Sequence, residues 1–195
     1  MASEPSSELP TVTKSIVLIG LMGAGKSAIG RRLASRLGLP FIDADTEIEK
    51  AAGCAIEDIF ESHGEAAFRD GERRVIQRLL KGPKHVLATG GGAFMAKQTR
   101  EVIHEYGISV WLRADLELLL ERTSRRHDRP ILKKGNPREI LAKLIEERYP
   151  VYADADTVVD GANVPPEVMV DRVVAALRDY AQGAASRPEP PRAES

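Results

Sequence analysis

Cysteine, aromatic residues and long apolar runs are scarce in this sequence, and neither sign of charge dominates it. The single cysteine among 195 residues, Cys54, excludes an internal disulfide. With no Cys or His cluster beside it, it also excludes a structural zinc site, and such usage fits a reducing cytoplasm. Twenty-eight Lys and Arg against 29 Asp and Glu leave a net charge of −1, so there is no basic field of the kind that holds a nucleic-acid backbone. The most apolar run, residues 16–22, falls far short of the roughly 20 residues that span a bilayer, and Lys26 follows closely. Neither nucleic acid nor membrane is expected as a partner.

What is present points to one domain. Hydrophobic residues make up 43% of the chain, enough for a substantial core. Residues 1–14 carry Glu4 and Glu8 among Ser and Pro, without the apolar stretch of a signal peptide or the arginines of a transit peptide. Residues 182–195 hold Pro188, Pro190 and Pro191 among small and charged residues, a composition unable to offset its ordering entropy by burial. Disordered tails are therefore expected over residues 1–13 and 182–195, flanking a domain at 14–181.

Within that domain, short β-branched runs alternate with stretches of helical period, the pattern of βαβ units around a parallel sheet. Strands are expected at residues 15–19, 40–42, 86–88, 109–112 and 157–159, each too uniformly apolar for a half-exposed sheet. Helices are expected at 26–37, 46–52, 56–62, 65–81, 97–106, 116–125, 138–147 and 166–181, several bounded by Gly or Pro. Residues 125–137, rich in Arg, His, Lys, Gly and Pro, break the alternation and are expected to form a mobile loop.

The most specific motif is Gly20-Leu21-Met22-Gly23-Ala24-Gly25-Lys26-Ser27, which satisfies G-x-x-x-x-G-K-[ST] between an apolar strand and an amphipathic helix. Backbone N–H groups of such a loop surround a β-phosphate, and the helix N-terminus adds partial positive charge. Lys26 would reach the β/γ oxygens, and the Ser27 hydroxyl would meet Mg²⁺. The candidate nucleotide residues are Gly23, Ala24, Gly25, Lys26, Ser27 and Ala28. Neither D-x-x-G nor N-K-x-D occurs, which disfavours a GTPase switch. The third strand ends Ala88-Thr89-Gly90 with no aspartate, so a carboxylate on the metal side must come from elsewhere.

Asp43 and Asp45 offer one. In extended chain residues two apart point the same way, so both acids could face the crevice beyond the second strand. The same stretch also fits a helix start, with Thr46 to Glu49 as a capping box. Arg69 has Glu65 one helical turn before it, an ordinary ion pair by spacing. Gly90-Gly91-Gly92 after a buried strand permits either a close ligand approach or a sharp turn. Arg129 and Arg148, taken alone, fit a solvated basic face.

In combination these stretches resemble the shikimate kinases, small relatives of the nucleoside monophosphate kinases. The resemblance rests on residues 20–27, Asp43-Ala44-Asp45, Phe68-Arg69 with Glu72, Gly90-Gly91-Gly92, Arg122-Thr123, Arg129-Pro130, and Arg148 followed by Tyr152. It implies an α/β P-loop fold, a five-stranded parallel sheet in the order 2-3-1-4-5 with a mobile lid. It further implies ATP-dependent phosphorylation of the shikimate 3-hydroxyl, with ATP and Mg²⁺ as cofactors, in a cytoplasmic, monomeric enzyme. Asp45, Arg69, Gly91 and Arg148 would hold shikimate, Asp43 would serve the metal with Ser27, and Arg122 would contact the nucleotide. Arg129 would lie in a lid over ATP and act with Lys26 and Asp45 in catalysis. Two departures stand out: Ile131 where Leu is common, and residues 160–165 without Arg or Lys near the expected adenine. Another small-metabolite kinase such as a gluconate kinase, or a non-catalytic ATP-binding module, remains an alternative.

Overall fold

The computed structural model describes residue 10 and residues 12–124 and 135–183. The apolar runs form strands, of which β1, β3 and nearly all of β4 are buried on both faces while the edge strands β2 and β5 are partly exposed. The strands are β1 (Ser15–Ile19), β2 (Phe41–Asp43), β3 (Val86–Ala88), β4 (Gly107–Arg113) and β5 (Thr157–Asp160). They pair in parallel in the order β2-β3-β1-β4-β5, as expected. β1 lies at the centre, and each of its five residues is buried.

The helices are α1 (Lys26–Leu37), α2 (Ala44–Ala52), α3 (Ile56–Leu80), α4 (Lys97–Tyr106), α5 (Leu116–Ser124), α6 (Pro137–Tyr152) and α7 (Pro166–Ala181). α1 packs on α7, α3 on α2 and α4, and α5 on α6. The main core joins β1 and β4 to Leu33, Ile76, Ile103 and Val173. A smaller cluster of Ile48, Phe68 and Val75 ties α2 to α3. Among the described residues no helix is long and apolar enough to cross a membrane.

Two expectations need correction. α2 begins at Ala44 rather than Thr46, because Asp43 is its N-cap: the carboxylate accepts the Asp45 N–H at 3.1 Å. Asp45 is therefore in the first helical turn, not on the strand, and the alternation argument for it fails. α6 runs past residue 147, through Pro150, to Tyr152. Proline removes one helical hydrogen bond, but Tyr149 and Tyr152 on the same face pack their rings against buried Trp111, at 4.9 and 5.9 Å between centroids. Val12, within the expected N-terminal tail, packs on the core, and its carbonyl accepts from Lys84 Nζ at 2.9 Å. The two expected helices over 56–81 meet at Gly64, whose φ of 79° and ψ of 174° break α3 there.

Candidate active site

The site occupies the C-terminal rim of β1, β2 and β3, where open α/β sheets bind ligands. After β1 the chain must turn sharply into α1, and Gly23 and Gly25 do so with φ of 85° and 95°, which side chains resist. Gly25 is also the N-cap of α1 and offers no side chain to the first turn, which in addition contains no acidic residue. The first-turn N–H groups and the helix dipole are thus left to an anion. α2 is the opposite case, capped by Asp43 with Asp45 and Glu47 in its first turn.

Lys26 Nζ donates to the carbonyls of Gly20 and Leu21, at 2.7 and 3.0 Å, so its charge lies over the loop. Ser27 Oγ donates to Asp43 Oδ2 at 3.2 Å. Two hard oxygens beside a phosphate-binding helix end suit Mg²⁺, which keeps most of its waters and takes few protein ligands. Among the described residues no group of three or more His, Cys, Asp or Glu could hold a metal unaided. Arg122 from α5 donates to the Ala162 carbonyl at 2.7 Å and reaches the Gly23 and Ala24 carbonyls at 3.5 and 3.4 Å. It thereby joins the phosphate loop to the segment after β5. A cavity of about 450 Å³ opens there, lined by Gly23, Gly25, Lys26, Ser27, Ala28 and Arg122 with Asn163, Val164 and Pro166.

A second cavity, about 270 Å³, lies on the other side of Lys26 and Ser27, which line both. Asp43, Asp45, Arg69, Glu72, Gly91 and Arg148 line it, with Ile56, Phe60 and Met22 as its apolar part. The three glycines after β3 explain how the polar groups converge. A methyl at Gly90 would lie 2.9 Å from Asp45 Oδ1, one at Gly91 3.1 Å from Arg148 Nη1, and one at Gly92 2.2 Å from Arg69 Nη2. Each glycine leaves room for one expected acceptor-site side chain. The run is therefore both the sharp turn and the close approach that its sequence permits. Arg129 lies outside the described residues, as does most of the expected lid.

Glu72 is the site residue to which sequence reasoning gave no role. Arg69 does pair with Glu65, at 3.5 Å, but its tighter bond is to Glu72 Oε2 at 2.7 Å. Glu72 is only 1% exposed. Burial raises its carboxyl above the usual range, Arg69 opposes this by hydrogen bonding and charge, and the Asp45 carboxylate adds to the rise. Its signal was available: Phe68, Glu72, Val75 and Ile76 follow the spacing of one helix face, and a charge on an apolar face demands a partner.

Residues 22–178 match the family model described as shikimate kinase. The chain belongs to the shikimate kinase family. A shikimate kinase of Paramagnetospirillum magneticum is 60% identical over 169 residues, covering 87% of each chain. One of Rhodopseudomonas palustris is 58% identical over 173 residues, covering 89% of this chain and 85% of the relative. The solved shikimate kinase from Acinetobacter baumannii, in complex with shikimate, superposes with a TM-score of 0.78 at 38% identity, covering 85% of this chain and 92% of its own. A gluconokinase from Sinorhizobium meliloti has a TM-score of 0.60 at 21% identity, covering 87% of this chain and 94% of its own, and shares the fold. The gluconate alternative thus has fold likeness behind it, whereas shikimate kinases match in sequence as well.

Proposed function

We propose that this chain transfers the γ-phosphoryl group of ATP to the 3-hydroxyl of shikimate, giving shikimate 3-phosphate and ADP. The observation that carries the reading is the pair of cavities sharing Lys26 and Ser27, one beside an uncapped helix N-terminus and the other lined by two arginines and three acids. Phosphoryl transfer requires positioning and charge stabilisation more than covalent help from the protein.

In this reading the loop from Gly23 to Ala28 cradles the phosphates, and Lys26 leaves the Gly20 and Leu21 carbonyls for the β/γ oxygens. Ser27 and Asp43 hold Mg²⁺, which when bound neutralises phosphate charge. Arg69 and Arg148 grip the planar carboxylate of shikimate, a shape suited to guanidinium forks. Asp45 accepts a hydrogen bond from the 3-hydroxyl and takes its proton as the new O–P bond forms and the bond to the ADP oxygen breaks. Arg122 steadies the nucleotide side, and Arg129, outside the described residues, would add positive charge toward the phosphates as the family resemblance implies. Phosphorus NMR of the product tests this. The reading expects one phosphate monoester, on the 3-hydroxyl, per ADP released; a phosphate on another oxygen, or free phosphate alone, would overturn it.

A further inference from the structure

Tyr152 ends α6 with its side chain fully buried, its ring packed against Trp111 and Phe94. Those ring contacts need no hydroxyl, yet the hydroxyl has a partner at the cavity wall. It donates to the Gly91 carbonyl, in the glycine run of the acceptor cavity. Burial raises the phenol above its ordinary range, and the nearby charge of Arg148 opposes that rise. Arg148 lies one helical turn before Tyr152, and its Nη1 would stand 3.1 Å from a methyl at Gly91. Arg148, Tyr152 and Gly91 thus close a small ring of contacts at the cavity wall.

We propose that Tyr152 is a positioning residue: its hydroxyl holds the Arg148 guanidinium and the Gly91 peptide in one fixed relation, so that the fork meets the carboxylate of the acceptor already aimed. The inference rests on the functional reading above, in which Arg148 grips that carboxylate. An arginine has side-chain freedom to lose on binding, and a neighbour that removes it beforehand strengthens the ligand's grip. The planar trans peptide also fixes the Gly92 N–H once the Gly91 carbonyl is held.

Tyr149 supplies a matched control. It lies on the same helix, and its hydroxyl likewise anchors backbone, donating to the Ala114 carbonyl at the end of β4 and away from the acceptor cavity. Calorimetric titration of the full chain, Tyr152→Phe and Tyr149→Phe with shikimate, shikimate methyl ester and ATP tests the proposal. Tyr152→Phe should raise the shikimate Kd about tenfold, while its ester and ATP affinities stay within about twofold of the parent. Tyr149→Phe should leave shikimate affinity within about twofold, whatever it does to stability. The proposal fails if Tyr152→Phe binds shikimate normally, loses shikimate and ester alike, or does not fold, for the hydroxyl would then be idle or merely structural. It fails too if Tyr149→Phe reproduces the carboxylate-selective loss. If the parent chain itself does not bind shikimate, the functional reading is what falls, and the positioning role falls with it.

Discussion

Asp43 combines two tasks in one carboxylate: one oxygen caps α2 through the Asp45 N–H, and the other accepts from Ser27 Oγ. Asp45, two residues further on, instead approaches Gly90 in the second cavity. The two acids should therefore fail differently. Asparagine caps a helix about as well as aspartate, so Asp43→Asn should keep its melting temperature while raising the Mg²⁺ concentration needed for half-maximal activity. Asp43→Ala should in addition lose about 1 kcal/mol of stability. Asp45→Asn should lower kcat and weaken shikimate binding with normal metal dependence. Activity titrated against Mg²⁺ and against shikimate separates these cases, and identical profiles for the two asparagine variants would remove the division of labour.

At the scale of elements, α6 is tied to the sheet rim by two buried tyrosine hydroxyls, and burial raises both phenols, which gives the helix a pH dependence. Burial pushes the Tyr149 phenol from 10.0 up to about 12, against the opposing hydrogen bond to Ala114. The unfolded chain ionises this group first, so its contribution is complete below about pH 10 and is lost as pH rises through about 12, roughly 3 kcal/mol in all. Denaturant unfolding of the parent chain should weaken more steeply across that interval than unfolding of Tyr149→Phe; equal slopes would contradict the raised phenol. The same helix marks where sequence reading runs out. β1 and α1 were legible to the residue, because β1 is uniformly apolar and glycines bound α1 at both ends. The end of α6 was not, since Pro150 argues locally for a stop and only the packing of Tyr149 and Tyr152 on Trp111, distant in sequence, argues for continuation. The start of α2 was misplaced for a related reason: Asp43 and Thr46 are both good caps, and the complete burial of Ala44 beneath the sheet edge decides for the earlier one.

For the molecule as a whole, the proposed phosphate loop is contiguous in sequence, while the proposed acceptor site is assembled from four separate segments whose convergence no local pattern reveals. Arg69 and Arg148 each had a bland local explanation, and only the glycine run that makes room for both brings them to one cavity. Removing residues 1–9 and 184–195 should leave turnover and melting temperature nearly unchanged, whereas extending the first cut through Val12 should lower the melting temperature by uncovering core and releasing Lys84. Equal stability of the two truncations would show that Val12 adds nothing. The most direct test of the central claim is ADP release from ATP and Mg²⁺, measured in parallel with shikimate, gluconate and nucleoside monophosphates. Strong stimulation by shikimate alone is the predicted result; equal stimulation by gluconate, or ADP release indifferent to every acceptor, would contradict it.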